Sequence, residues 1–254
     1  MSKRLVFAGV VAVALAGSDA ARAIEINVYS AGAVQEGERA LAVSFTKMTG
    51  NKVSFTVGTV GQIQEKLKSG APADVIVVSA PALAQLEKSG DVRASSAVAL
   101  GRIGIGVGVK DGAAVPDIST PEKFREAMLA AKSVTYMDPA QGASSGIATA
   151  KIMKDLGIAE EVAKKTKLTE TGYSADRVAS GEVEIAIQNV SEIVPVNGVK
   201  LAGMLPEPLQ VYTAYAAGVA TKSVAPKEAT DFIRYLARAE SAGDWKEAGI
   251  DPAH

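Results

Sequence analysis

The segment Val75-Ile76-Val77-Val78 is apolar at every position, so neither face of a strand made from it can meet water. A strand buried on both faces lies inside a mainly parallel sheet covered by helices, and parallel pairing requires crossover connections. The upstream sequence supplies them. Residues 24–29 and 53–57 are strand patterns, and residues 35–48 are a helix pattern with Leu41, Phe45 and Met48 near helical spacing and Gly50 as terminator. Residues 62–68 form a second, shorter helix pattern behind the glycine-rich turn Gly58-Thr59-Val60-Gly61. The order is βαβαβ.

The same grammar continues downstream. Residues 82–88 read as a helix closed by Gly90, and residues 98–109 as a long extended segment in which Gly101, Gly104, Gly106 and Gly108 leave room for backbone rotation. Past a Pro- and Asp-punctuated loop at 111–116 come helix 121–131 behind the cap Thr120, strand 133–137, loop 138–144 and helix 145–156. Helix 160–165, strand 167–171, helix 175–180 and strand 185–188 follow, then a loop into 199–203. Residues 211–219 are a second extended crossing, and helices at 226–237 and 242–248 end the chain. Two βα units joined by two extended crossings predict an α/β protein of two lobes, residues 24–101 with 211–254 and residues 102–210.

Residues 1–23 have the form of a secretory signal, with Lys3 and Arg4 ahead of an apolar run at 5–16 and Ala21-Arg22-Ala23 as the cleavage site. The run falls short of the ~20 residues that span a bilayer, so a cleaved leader and a periplasmic protein are expected rather than a membrane anchor. Cleavage removes Lys3, Arg4, Arg22 and Asp19 and leaves 24 basic against 27 acidic residues, a formal charge of −3. That balance argues against a nucleic-acid partner. The chain has no cysteine, and its one histidine is the terminal His254. Thiolate ligands, disulfides and cysteine nucleophiles are excluded, and no metal or cofactor is expected.

Three turns share a strand, small-residue turn, helix order: Ser30-Ala31-Gly32-Ala33, Gly58-Thr59-Val60-Gly61 and Gln141-Gly142-Ala143-Ser144-Ser145-Gly146. A helix start presents backbone N–H groups without intrahelical acceptors, and the helix dipole favours negative charge there. The chain therefore reads as a receptor for a small anion rather than an enzyme. Candidate ligand-binding residues are Ser30, Gly32, Ala33, Thr59, Val60, Gly61, Ser144 and Ser145, with Gln188 and Asn189 at a strand end and Arg102 on the first crossing. Thr59, Ser144 and Ser145 suit helix capping as well as ligand contact. Arg102 suits either a bidentate clamp on a carboxylate or an ordinary ion pair. Tyr212 and Tyr215 read as core or interlobe packing, and Asp138 as a brace for its loop.

Gly70-Ala71-Pro72-Ala73-Asp74-Val75 with Ser79-Ala80, Met137-Asp138-Pro139 through Gly146, and Gly181-Glu182 with Ile187 and Ser191-Glu192 give the whole mature chain a resemblance to bacterial periplasmic molybdate-binding proteins. The resemblance implies a type II periplasmic binding fold, two lobes with two crossover strands and ligand in the cleft between them. It also implies a monomeric subunit that delivers its anion to an ABC permease and its ATPase. The family's oxyanion-holding serines fall here on Ala33 and on Val60 beside Thr59, and its tyrosine on Asn189, while Arg102 stands where those proteins carry Asn. Two ligand classes stay open, a molybdate or tungstate oxyanion and a small organic carboxylate.

Other classes fit less well. A hydrolase built on Ser144 or Ser145 with Lys151 lacks Ser-x-x-Lys spacing, and Gly142-Ala143-Ser144-Ser145-Gly146, which has the Gly-x-Ser-x-Gly form, has no histidine base to activate its serine, the one histidine being the terminal His254. The glycines of 104–108 open no helix and precede no P-loop Lys-Ser/Thr, which removes nucleotide binding.

Overall fold

The computed structural model describes residues 23–253; the predicted export signal up to Arg22 and the terminal His254 lie outside the described residues. The first unit forms as β1 (Glu25–Ala31), α1 (Gln35–Thr49), β2 (Lys52–Gly58), α2 (Val60–Lys68) and β3 (Val75–Ser79). β1 pairs in parallel with both β2 and β3, and β3 is buried at all its positions. α1 turns Leu41, Ala42 and Phe45 into the core, where the Phe45 ring meets Phe232 and Tyr235 edge-on, and Gly50 closes it at φ 77°. Met48 points to solvent instead, 62% exposed. Among the described residues, no helix is long and apolar enough to cross a membrane.

α3 (Ala80–Ser89) leads into β4 (Val98–Lys110), the long first crossing. The second unit is α4 (Pro121–Ala130), β5 (Val134–Thr135), α5 (Ser144–Asp155), α6 (Ala159–Ala163), α7 (Ala175–Ala179), β6 (Ile185–Asn189) and β7 (Val199–Met204). The chain then returns through β8 (Tyr212–Val219), α8 (Pro226–Leu236), α9 (Ala242–Glu247) and β9 (Asp251–Pro252). Strand order is β2-β1-β3-β8-β4-β6-β5, with β7 and β9 also on β4. Residues 98–104 of β4 pair with β8, and residues 105–109 pair with β6. Leu100 and Ile103 pack in one hydrophobic cluster and Ile105, Val107 and Val109 in another, so the core changes at Gly104.

The β4 glycines admit neighbours rather than act as joints. A Cβ on Gly101 would lie 2.5 Å from the Asp251 carbonyl oxygen, and one on Gly104 2.5 Å from Met204 Cε. At the same point the Gln210 amide accepts from the Ile105 N–H at 2.8 Å and donates to its carbonyl at 3.0 Å, pinning the two crossings together. One expectation fails in the second unit. Of residues 167–171 only Thr169 makes an isolated bridge, with a further one at Thr166 just before them, and a lone bridge has too little pairing to extend. Residues 199–203, into which the expected loop leads, form an edge strand on β4.

Asp74, the acid of the Gly-Ala-Pro-Ala-Asp segment, ties strand to helix. One carboxylate oxygen accepts from the Asn27 N–H at 2.9 Å, and the other accepts from Ser223 Oγ at 2.7 Å and from the Val224 and Ala225 N–H groups just before α8. Burial pushes this carboxyl up, and the bonds from Asn27, Ser223 and Ala225 outweigh burial and hold it below its ordinary range.

Glu38, on the inner face of α1, is fully buried with its carboxyl bonded to Ser30, and its Oε1 has no partner. Burial pushes it up to about 8, against the Ser30 bond and the Arg39 charge, which pull it down. The folded chain thus holds this proton more tightly than the unfolded chain, whose carboxyl titrates near 4.5. Stability from this group is complete below that value and is lost as pH rises toward about 8. The melting temperature is expected to fall between pH 5 and pH 8 by about 5 °C or more. Glu38→Gln should flatten that slope and melt above wild type at pH 8; a wild-type curve parallel to the variant's would overturn the assignment.

Candidate functional site

The three turns singled out in the sequence converge on one cleft. Its wall takes Gly32 and Ala33 from the 3-10 turn after β1, Gly58, Thr59 and Val60 from the start of α2, Ala143, Ser144 and Ser145 from the start of α5, and Asn189 and Glu192 from the end of β6 and the turn after it. Val57, Met137, Tyr173 and Tyr215 complete it. Its volume is about 110 Å³, room for a small ion or a compact organic acid and below the ~300–1,000 Å³ of drug-sized sites.

Short bonds across the cleft hold its two sides together. Thr59 Oγ1 donates to the Gln141 carbonyl, the Gly61 N–H reaches the Gly142 carbonyl at 3.4 Å, and Ser191 Oγ donates to the Ala33 carbonyl at 2.6 Å. On the far rim Gln35 Nε2 donates to the Tyr173 hydroxyl at 2.6 Å, and that hydroxyl donates to Glu36 at 2.8 Å. Gly61 and Gly142 meet backbone to backbone, and a Cβ on either would come within 2.8 Å of the other strand of chain.

The charges in the wall are unusual for an anion site. No lysine or arginine lines it, and the ionisable groups are Glu192, Tyr173 and Tyr215. Glu192 is 6% exposed; burial pushes its carboxyl up to about 7, while Asn189, whose Nδ2 donates to it at 2.8 Å, and Gln188 pull it down. Burial, with the Glu192 charge nearby, likewise drives the Tyr215 hydroxyl well above its ordinary range, so it stays a neutral donor beside Ser144 and Asn189. The group in the wall that favours negative charge is the start of α5: its N-cap is Ala143, no side chain caps it, and Ala143, Ser144 and Ser145 of this twelve-residue helix's first turn line the cleft.

The sequence-predicted residues divide. Gly32, Ala33, Thr59, Val60, Ser144, Ser145 and Asn189 line the cleft. Ser144 and Ser145 are the first two helical residues and not the cap. Thr59 does cap α2, in a box with Gln62, and its hydroxyl is committed to Gln62 and Gln141. Ser30, Gly61, Gln188 and Arg102 do not line the cleft. Ser30 turns inward to Glu38; the Gly61 N–H goes to Gly142; Gln188 is buried, accepting from the Ser174 N–H at 2.8 Å. Arg102 lies on the surface, 2.8 Å from Asp251 and stacked over Tyr212, because strand alternation sends its side chain away from the core. Glu192, Tyr173 and Tyr215 were absent from the candidates. In the sequence Tyr215 reads as packing, and Glu192 carries a signal only through the Ser191-Glu192 motif.

Residues 26–251 match the family of bacterial extracellular solute-binding proteins. Over 233 residues the chain is 30% identical to an aconitate isomerase of a Pseudomonas species, covering 89% of this chain and 87% of that one. The periplasmic molybdate-binding protein of Azotobacter vinelandii superposes with a TM-score of 0.72 at 18% identity, over 89% of this chain and 98% of that one. A sulfate-binding protein of Mycobacterium tuberculosis gives 0.70 at 18% identity, over 91% and 87%. The two structures establish the shared fold, a mixed α/β periplasmic binding fold.

The apposition of Gly61 and Gly142 generates a test of closure. Gly61 sits in the first turn of α2 without a positive φ, so alanine suits its backbone there but collides with Gln141 and Gly142 across the cleft. Gly61→Ala is expected to raise the radius of gyration by small-angle scattering and speed amide exchange at 141–142. Gly243→Ala, where a Cβ meets open space, should leave both unchanged. Identical scattering for the two variants would refute the contact as a closure point.

Proposed function

We propose that this chain, which belongs to the bacterial extracellular solute-binding protein family, captures a small organic carboxylate in its cleft and passes it to a membrane permease. The observation that carries the reading is the division of the wall. Ala33, Val57, Val60 and Met137 give it an apolar side, while the uncapped start of α5, Ser144, Ser145 and the Tyr215 hydroxyl give it a donor side. An inorganic oxyanion is polar all round, and pressing it against valine and methionine strips water that nothing replaces. An organic acid sets its carboxylate on the α5 N–H groups and its carbon skeleton on the apolar side.

Glu192 agrees with this arrangement, since a carboxyl held near 7 is readily neutral and then donates to a ligand oxygen instead of repelling it. The Pseudomonas relative, alike over nearly its whole length, is named for aconitate, a tricarboxylate. In this reading residues 24–101 with 211–254 and residues 102–210 are the two bodies that close on the ligand. Residues 1–23 are the leader that sends the chain to the periplasm, where it works as a monomer with an ABC permease and its ATPase.

Titration calorimetry on the mature chain should show a small di- or tricarboxylate binding with Kd of about 1 μM or tighter, near −8 kcal/mol. Molybdate, tungstate and sulfate should bind at least about 100-fold more weakly, which is roughly 2.7 kcal/mol. Arg102→Ala should leave carboxylate affinity unchanged, because that side chain is engaged with Asp251. Sub-micromolar molybdate with no carboxylate binding would replace this reading with the oxyanion one.

A further inference from the structure

A carboxyl group in the wall of an anion cleft works against capture, since a glutamine in its place would bond to Asn189 without carrying charge. Glu192 occupies that position on the 3-10 turn after β6. Asn189 Nδ2 engages its Oε2, while Oε1 faces the turn at Gly32, where a Cβ would stand 3.4 Å away. The Asn189 Oδ1 beside it is buried and unpartnered. The titratable groups that bear on Glu192 are Tyr173 and Tyr215, both held neutral, with Glu36 behind Tyr173; no cation balances it in the wall. What a glutamate does there that a glutamine cannot is carry a proton on and off.

We propose that the cleft catalyses a proton shift on a bound unsaturated carboxylate, with Glu192 as the base that takes the proton from one carbon and returns it to another. The proposal rests on the carboxylate reading above. Glu192 Oε1 removes a proton from the carbon next to the double bond: the C–H bond breaks and an O–H bond forms. The freed electron pair moves the double bond one carbon along, and charge spreads onto the substrate carboxylate as a dienolate. The Glu192 carboxyl, its acquired proton open to exchange with water, then delivers a proton to the far carbon of the three-carbon unit. Atoms and charge balance without oxidant, reductant or cofactor.

The surroundings fit each step. The developing charge lies where the uncapped N–H groups of α5 point, with the Tyr215 hydroxyl as a further donor, which is how fixed dipoles stabilise an enolate. Burial keeps Glu192 near 7, so the basic and acidic forms are both populated at neutral pH, as a group that must act in both senses requires. The chain has no histidine within its described residues and no cysteine to compete for the role.

The test incubates the mature chain with cis- and trans-aconitate in D2O and follows both by proton NMR, with calorimetry in parallel. Wild type is expected to interconvert the two acids and place deuterium on the allylic carbon, at a rate that rises with pH through about 7 as Glu192 ionises. Glu192→Gln should lose the reaction by about 100-fold or more while binding within about tenfold of wild type. Glu192→Asp, which keeps the acid on a shorter arm, should retain a reduced rate. Binding without exchange, or exchange undiminished in Glu192→Gln, overturns this inference and leaves the receptor reading intact. Absence of binding by both acids overturns this inference, while the carboxylate reading falls only if the other di- and tricarboxylates of the calorimetric panel also fail to bind.

Discussion

Both sheets of the molecule are hung on one strand. β4 gives residues 98–104 to the first sheet and residues 105–109 to the second, and its backbone bonds leave it no freedom to serve one without orienting the other. The placement of the cleft follows from this, because the ends of β1, β2 and β6 and the starts of the helices after them are carried on the two sheets. Gln210 reinforces the arrangement from the returning chain by clasping the Ile105 peptide on both its N–H and its carbonyl. A pin at the strand pair, with contacts farther out that can part, is the usual anatomy of hinge closure around a ligand.

Those outer contacts are few and polar. Thr59 with Gln141, Ser191 with Ala33, and Gln35, Tyr173 and Glu36 at the rim replace hydrogen bonds that water would otherwise make, each with a net worth of ~1 kcal/mol. The glycine pair at 61 and 142 adds close approach rather than adhesion. Contacts this few would leave a ligand able to shift such an equilibrium, since a ligand does so only by its differential contacts with the two states. The α5 donors come from the second unit, while Tyr215 and most of the apolar residues, Ala33, Val57 and Val60, come from the first, so a molecule in the cleft would touch both units only when they meet.

Much of this was legible in the chain. The doubly buried Val75–Val78 run, the turn glycines and the helix periodicities specified the α/β alternation, because those signals are local. The three small-residue turns pointed to the cleft for the same reason, as a helix start announces itself within a few residues. Seven of the candidate residues do line it. Arg102 lies away from it because strand alternation, once register is set, sends its side chain outward to Asp251, and Ser30 does so because its hydroxyl is spent on Glu38 beneath the turn.

By itself the sequence determined most of the backbone grammar: the strands of the first unit and the two crossings, where the longer helices start, and that small-residue turns close three of the βα steps. Only the tertiary structure decided which of those groups remain free to act. Whether Thr59 meets a ligand or Gln141, whether Tyr215 packs or donates beside Ser144, and whether Glu192 is a solvated charge or a buried carboxyl facing Gly32 depend on neighbours far off in the sequence. The reason is physical: a side chain's polarity is written in its own formula, but its desolvation and its partners are properties of the space that the rest of the chain builds around it.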